Sequence, residues 1–309
     1  MQRLLRAAGY FSRRIYTCIR QLDGDFLQSV CEIRLRAGRP LSFVTFEGVS
    51  YLTSTGRLTG IPNQSAFTVT ASDIKESFQR ICEYSVYSYS KDISQGFITV
   101  LGGHRAGIYG TAVYDGDRIS GVRDIGGINM RISREYKGCA DGLTESAFSD
   151  GLRGLLLCGA PSTGKTTMLR DTARLVSDRF MKKVAVVDER GELAAVSKGT
   201  AQNDVGFNTD VLDGYMKSDG IMQAVRTLSP QLVICDEIGS PADCEAVRFG
   251  VNSGVCFAAA VHASDEEELK NKAEIMELIR LGAFPKIAFL QSGKPCTVSR
   301  IIDSRELLC

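Results

Sequence analysis

The chain has 309 residues, 44% of them apolar and 24% charged, with a formal net charge of +1 at pH 7. That balance excludes a wholly disordered chain, a collagen-like repeat and a small disulfide-stapled scaffold, and it supplies no global basic field for nucleic acid. The charge nonetheless changes sign along the chain: residues 1–140 hold 18 Lys and Arg against 12 Asp and Glu, and residues 141–309 hold 19 against 24, so a boundary is expected near residue 140.

In chain order, residues 1–30 read as helical, with Leu4, Leu5 and Ala8 and then Ile15, Cys18 and Ile19 at three-to-four spacing. Arg3, Arg6, Arg13, Arg14 and Arg20 all precede the first acidic residue. The stretch is either a basic helix that lies on a membrane or partner, or a solvated amphipathic helix of the first domain. It lacks the apolar core of a secretory signal. Residues 32–36 alternate, 37–40 turn and 41–46 extend again, which predicts a hairpin. Residues 71–85 predict a helix with Ser72 as N-cap. Strands are expected over 96–101, 107–113 and 128–132, separated by Gly102-Gly103 and Asp115-Gly116-Asp117 turns. Residues 1–135 therefore read as a smaller mixed α/β domain with antiparallel pairing, and 136–150 as a polar linker.

Beyond residue 150 strands and helices alternate: strand 155–158, helix 165–176, strand 184–187, helix 220–228, strand 232–235, helix 241–252, strand 255–261 and helix 265–281. Short apolar runs between helices predict a mostly parallel sheet covered on both faces. The expected fold class is α/β, with a C-terminal RecA-like P-loop ATPase domain over 151–309. Residues 189–219 read as a loosely patterned polar insertion.

Gly159, Ala160, Pro161, Ser162, Thr163, Gly164, Lys165 and Thr166 match GxxxxGK[ST] at every fixed position, between a predicted strand and a predicted helix. Such a loop turns successive backbone N–H groups inward onto phosphate oxygens. Lys165 is expected on the β- and γ-phosphates of ATP, Thr166 on Mg²⁺, and Thr167 beside them in the cradle. The strand at 232–235 ends in Asp236 and Glu237. Asp236 is expected to hold Mg²⁺ through its water shell, and Glu237 to polarise an attacking water. A nucleotide kinase needs no base for water, so this glutamate favours hydrolysis; an acidic helix cap before Pro241 is the alternative.

Asp188, Glu189, Arg190, Gly191 and Glu192 follow the strand at 184–187. Glu189 and Glu192 read either as groups near the γ-phosphate or attacking water, or as solvated turn charges. His262, one of only two histidines, follows the strand at 255–261. Ligand-contacting groups in open α/β sheets gather at such strand ends. His262 is a candidate hydrogen-bond partner of the γ-phosphate or catalytic water, or a satisfied structural histidine. The ten cysteines are scattered singly, with no CxxC pair to start a zinc site. They read as buried reduced thiols, which suits a reducing cytoplasm. No apolar run approaches the about 18 residues that span a bilayer.

Residues 159–166, 188–192, 232–237 and 253–263, with RTLSP at 226–230, together resemble the secretion-type ATPases that drive type II and type IV secretion and pilus machines. Those proteins carry a phosphate loop, an acidic box, a second Walker motif and a histidine box in that order. The four-cysteine zinc insertion of some members is absent. EIRLRAGRPL at 32–41, GGHRAG at 102–107, NMRISRE at 129–135 and CGAPSTGKTTMLRD at 158–171 are similar to the stage III sporulation protein AA family, across nearly the whole chain. This resemblance implies the ATPase of a secretion-like channel complex between mother cell and forespore, cytoplasmic and peripheral at the mother-cell membrane. It also implies membrane proteins of that complex as partners and a homo-oligomer, a hexameric ring being favoured. No specific nucleic-acid partner is expected.

In the secretion ATPases the N-terminal domain lies over a nucleotide site and supplies arginines. The resemblance thus makes Arg105, Arg123 and Arg131 candidates for a neighbour's γ-phosphate, although each alone also fits an ordinary salt bridge. His104 reads as structural. Two other classes would use the same sheet: a RecA-like nucleic-acid motor or loader, and an ATP-gated scaffold with little turnover. The first would need a dense basic patch interleaved with aromatics, which the N-terminal half lacks.

Overall fold

The helical N-terminus resolves into three short helices, α1 (Gln2–Ala8), α2 (Arg13–Ile19) and α3 (Gly24–Ser29), in the computed structural model, which describes residues 2–308. The first two behave as amphipathic helices of a domain: α1 buries Leu4, Ala7 and Ala8, and α2 buries Ile15 and Ile19. Ser12 and Asp23 cap α2 and α3, which is why the chain breaks between them. One compact unit ends at Arg134 and a second begins at Glu135.

The first unit continues with β1 (Glu32–Arg36), β2 (Ser42–Val44), β3 (Val49–Leu52), β4 (Leu58–Thr59), α4 (Ala71–Ile81), a 3₁₀ turn over Val86–Tyr89, α5 (Ser90–Ser94), β5 (Phe97–Val100), β6 (His104–Asp115) and β7 (Arg118–Arg131). Its seven strands form an antiparallel sheet in the order β4-β3-β2-β1-β7-β6-β5. The hairpin expected at 32–46 is β1 and β2, with Ile33 opposite Phe43. The strands expected at 107–113 and 128–132 are parts of a longer ribbon of 12 and 14 residues. Phe11, Ile15, Ile33, Leu35, Phe43 and Ile74 close the core between the sheet and its helices.

The N-cap of α4 is Thr70, not Ser72 as the sequence predicts. Thr70 and Asp73 form a reciprocal capping box, and the helix stops at Ile81 rather than at 85. Glu83 and Tyr84 follow with left-handed φ of 48° and 62°, which no helix continues. Asp73 is also the anchor of the N-terminal helices. It accepts from Ser12 Oγ at 2.7 Å, Thr70 N at 2.8 Å, Thr70 Oγ1 at 2.7 Å and the Arg14 guanidinium.

Burial alone would raise the Asp73 carboxyl, but Arg14 and the other donors hold it well below the usual carboxylate range. A folded pKa below the unfolded value contributes stability that is present above about pH 4 and lost as pH falls through the acid range. Asp73→Asn is therefore expected to cost about 2–3 kcal/mol at neutral pH, the scale of hydrogen bonds to a charged group. The loss should shrink toward pH 2 in a urea titration. An equal loss at both pH values would remove the charge from this account.

The second unit opens with α6 (Asp141–Phe148), which lies within the expected linker at 136–150 and buries Leu143, Thr144, Ala147 and Phe148. There follow β8 (Leu155–Cys158), α7 (Lys165–Asp178), β9 (Val184–Asp188), β10 (Thr209–Asp213), α8 (Lys217–Thr227), β11 (Leu232–Glu237), α9 (Pro241–Asn252), β12 (Cys256–Val261), α10 (Glu266–Lys270), α11 (Ala273–Arg280), β13 (Lys286–Leu290), β14 (Val298–Asp303) and α12 (Arg305–Leu308). The sheet order is β10-β9-β11-β12-β8-β13-β14, all parallel except β14.

Both faces of this sheet are covered, which explains the unbroken apolar runs. Leu156, Cys158, Val233 and Cys235 enter one core, and Leu155, Leu157, Leu232 and Ile234 enter the other. The polar insertion expected at 189–219 holds an edge strand, β10. The single helix expected at 265–281 is two, α10 and α11, with Asn271 capping the first. Parallel pairing brings the carboxyl ends of β8, β9, β11 and β12 to one edge.

Candidate functional site

At that edge, β8 runs into the loop at 159–164 and α7 leaves it. The loop is shaped by close approach. A Cβ on Gly159 would meet Thr163 Oγ1 at 2.7 Å, and one on Gly164 would meet Cys296 Sγ at 2.6 Å. Gly164 also has φ of +89°, where an L side chain is strained. Thr163 Oγ1 closes the loop on Ala160 O at 2.9 Å. No side chain caps α7, so the N–H groups of its first turn are available to an anion.

Strand order decides what faces this loop. β12 lies between β8 and β11, so His262, the residue after β12, emerges between the phosphate loop and the acidic end of β11. The pairing of β11 with β12 shifts between Ile234 and Glu237. Successive strand residues ordinarily point to opposite faces, and an irregularity re-aims them. Asp236 accordingly meets Thr166, with Oγ1 at 3.4 and 3.3 Å from its two oxygens. Glu237 meets His262, with Oε2 to Nε2 at 2.9 Å.

Lys165 completes a chain of contacts. Its Nζ donates to Gly159 O at 2.7 Å and Ala160 O at 2.9 Å, and lies 3.1 Å from His262 Nδ1. Burial pulls the Lys165 ammonium below its ordinary pKa, while Glu237 and Asp236 oppose that shift. The Asp236 carboxyl is pushed up by burial and by the nearby charge of Glu192, with Thr166 and Lys217 pulling the other way. A site that raises its acid and lowers its base holds more negative and positive charge than its surroundings solvate, the usual state of a binding cleft.

The acidic stretch divides its labour. Asp188 is buried and accepts from Glu192 N at 2.8 Å, Ala194 N at 2.8 Å and Ala195 N at 3.4 Å, so it holds the turn. Glu189 pairs with Lys217 at 3.6 Å. Glu192 acts on Asp236 through its charge. Arg170 fixes the same turn by donating to Leu193 O at 2.7 Å and Glu192 O at 2.6 Å. Lys217, which the sequence reading misses, also donates to the carbonyl of Glu237. A signal for it exists: a lysine in the first turn of a helix opposes the macrodipole, and its place there needs another partner.

The arginine candidates all lie in the first unit. Arg105 and Arg131 stand directly opposite each other on β6 and β7, and Arg105 packs over the Phe97 ring at 4.8 Å. Arg123 lies further along the ribbon, 3.6 Å from Asp124. His104 is fully buried and accepts from Ser133 N at 3.1 Å. Burial, then the charges of Arg3 and Arg6, push it down to about 4, so it stays neutral as a structural residue.

The nine described cysteines are free thiols, and no group of three or more metal-ligating side chains occurs among the described residues. No helix among them is long and apolar enough to cross a membrane.

Over most of its length the chain shares its fold with solved motor ATPases. The structure is similar to the ATPase DotB of Yersinia pseudotuberculosis (TM-score 0.57, 13% identity, 96% of this chain and 82% of that one). It is also similar to the pilus retraction motor PilT with bound ADP (TM-score 0.55, 13% identity, 84% and 74%). Within that class, residues 8–308 match the family model for sporulation stage III, protein AA, and the chain belongs to this family. Stage III sporulation protein AA of Bacillus subtilis (strain 168) is 33% identical over 277 residues, 88% of this chain and 86% of the relative.

Proposed function

We propose that the chain is an ATP-hydrolysing motor of the secretion-ATPase type, assembled as a homo-oligomeric ring and energising a membrane channel or secretion complex during sporulation. The observation that carries this reading is one cluster: Thr166 against Asp236, and Lys165, His262 and Glu237 in a row beside them. In it, the first-turn N–H groups of α7 and Lys165 bind the phosphates. A hydroxyl and a carboxylate are hard oxygen donors suited to Mg²⁺, so Thr166 and Asp236 fit that ion. Bound there, Mg²⁺ supplies charge neutralisation for the phosphate oxygens.

Phosphate draws the Lys165 ammonium off the loop carbonyls and away from His262. His262 is then left to its bond with Glu237 and to the γ-phosphate, and Glu237 accepts the proton of the attacking water. Glu192 and Lys217 set the field around Asp236. Family membership supports the sporulation setting, and the cytoplasmic face of the mother-cell membrane and the channel partners belong to the same proposal.

Glu237→Gln tests the assignment. The amide keeps the shape and loses the basicity, so the variant should bind ATP and Mg²⁺ like the parent and lose turnover by about 10²–10⁴-fold. Equilibrium binding of a fluorescent ATP analogue and steady-state phosphate release measure the two. If Glu189→Gln or Glu192→Gln shows that phenotype while Glu237→Gln turns over normally, the base belongs to the stretch after β9.

A further inference from the structure

Two cysteines that play no part in the proposed chemistry sit on the first turn of α7. Cys139 Sγ lies 3.9 Å from Thr167 O, and Cys296 Sγ lies 3.8 Å from Gly164 O. The two carbonyls are three residues apart, hence neighbours on the helix surface, which places both sulfurs on one turn of α7. Each cysteine is partly exposed.

We propose that Cys139 and Cys296 form a thiol–disulfide switch under the phosphate loop, operated by a low-molecular-weight disulfide. The Cys296 thiolate attacks one sulfur of the small disulfide, RSSR, and RS⁻ leaves, which gives a mixed disulfide on Cys296. The Cys139 thiol then loses its proton to the released thiolate and attacks Cys296 Sγ, and the second RS⁻ leaves and takes a proton. Two protein thiols are oxidised to one disulfide, and RSSR is reduced to two RSH.

The environment makes Cys296 the attacking thiol; Cys139, whose thiol Cys296 and burial push up, acts second, once Cys296 is capped and no longer holds its proton. The neighbouring Cys139 thiol, aided by Arg170 and Thr167, holds the Cys296 thiol below the ordinary range against burial and the charge of Asp171. Burial instead pushes Cys158 and Cys235 up to about 12, and Cys82 and Cys244 up to about 11, so those are poor nucleophiles.

The coupling to the loop is steric. Cys296 N donates to Thr163 O at 2.8 Å, and Cys296 itself holds a left-handed φ of 57°. A Cβ at Gly164 would find Cys296 N at 2.8 Å as well as its sulfur at 2.6 Å, so no slack separates the cysteine from the loop. A disulfide brings the sulfurs to about 2.05 Å and fixes both against the first turn of α7. That turn then cannot settle its N–H groups on a phosphate.

The consequence for nucleotide rests on the proposed function; the chemistry of the thiol pair does not. The test treats the full chain with oxidised glutathione at neutral pH and maps the products by non-reducing digestion and mass spectrometry. The expected product is the Cys139–Cys296 cross-link. Cys139→Ser should stop at a glutathione adduct on Cys296, and Cys296→Ser should give neither. Affinity of the cross-linked chain for a fluorescent ADP analogue should fall about tenfold or more, the scale of one charge-assisted hydrogen bond, and return with dithiothreitol.

A map in which Cys296 stays unmodified while other thiols react overturns the proposal, even if neither variant folds, because the parent chain alone yields it. A cross-linked chain with unchanged ADP affinity also overturns it. If the reduced chain binds no nucleotide, the nucleotide reading fails, and the map still decides the thiol pair.

Discussion

Lys165→Ala is expected to remove half or more of the nucleotide-dependent stabilisation while leaving the unliganded fold intact. The ammonium is nearly buried, its pKa is depressed by that burial, and its partners are two carbonyls and one imidazole nitrogen. Truncation removes a desolvated charge; Ala160 and His262 are half-exposed, and water takes the vacated place beside the buried Gly159 carbonyl. The stability without nucleotide should therefore be unchanged or slightly higher.

With nucleotide the sign reverses. A ligand at 100-fold its Kd stabilises a folded protein by about 2.7 kcal/mol. Loss of a charge-assisted phosphate contact worth about 1.5–3 kcal/mol weakens binding by about 10- to 150-fold and erases from about half to nearly all of that gain. Thermal melts with and without Mg·ADP, at one fixed concentration, read both effects. A variant stabilised by Mg·ADP as strongly as the parent would place the phosphates somewhere other than this loop.

Much of this site is written locally in the chain. The phosphate loop is legible because its glycines answer to constraints within a few residues, such as Gly159 against Thr163. Asp236 and Glu237 are legible because an apolar run breaks abruptly into carboxylates. What joins them is not local. His262 reaches both Lys165 and Glu237 only because β12 inserts between β8 and β11, and strand order is a property of the whole sheet.

The same holds for Lys217, which meets Glu189 and Glu237 from the start of α8, and for Cys296, which supports Gly164 from the loop between β13 and β14. Those two strands were within reach. Lys286–Leu290 is a short, largely apolar run after a proline, and Val298–Asp303 carries the pair Ile301-Ile302. β10 was harder, since Thr209–Asp213 is a polar edge strand with one buried residue, Leu212. The Ser72 assignment failed because three candidate caps, Thr70, Ser72 and Asp73, crowd one turn. The capping box chooses the residue three before an acid.

The arginines give the other large effect. Arg105 and Arg131, directly opposite each other on adjacent strands, put two cations side by side on one face of the ribbon. Arg123 has Asp124 beside it. If Arg105 or Arg131 meets the nucleotide of a neighbouring chain, its change to Ala should lower kcat by about 10³-fold or more, as for a cation supplied in trans, and weaken ATP binding much less. Arg123→Ala should do less.

Turnover per chain must then rise with protein concentration, because a lone chain lacks the full set of charges. Mixing separates this from a role within one chain. Lys165→Ala chains, inactive but with their arginines intact, should partly rescue an inactive arginine variant in mixed assemblies, since each supplies what the other lacks. An arginine acting on its own chain's nucleotide forbids rescue. Specific activity independent of concentration down to a demonstrated monomer, with no rescue on mixing, would remove the ring from the mechanism and favour a nucleotide-gated scaffold.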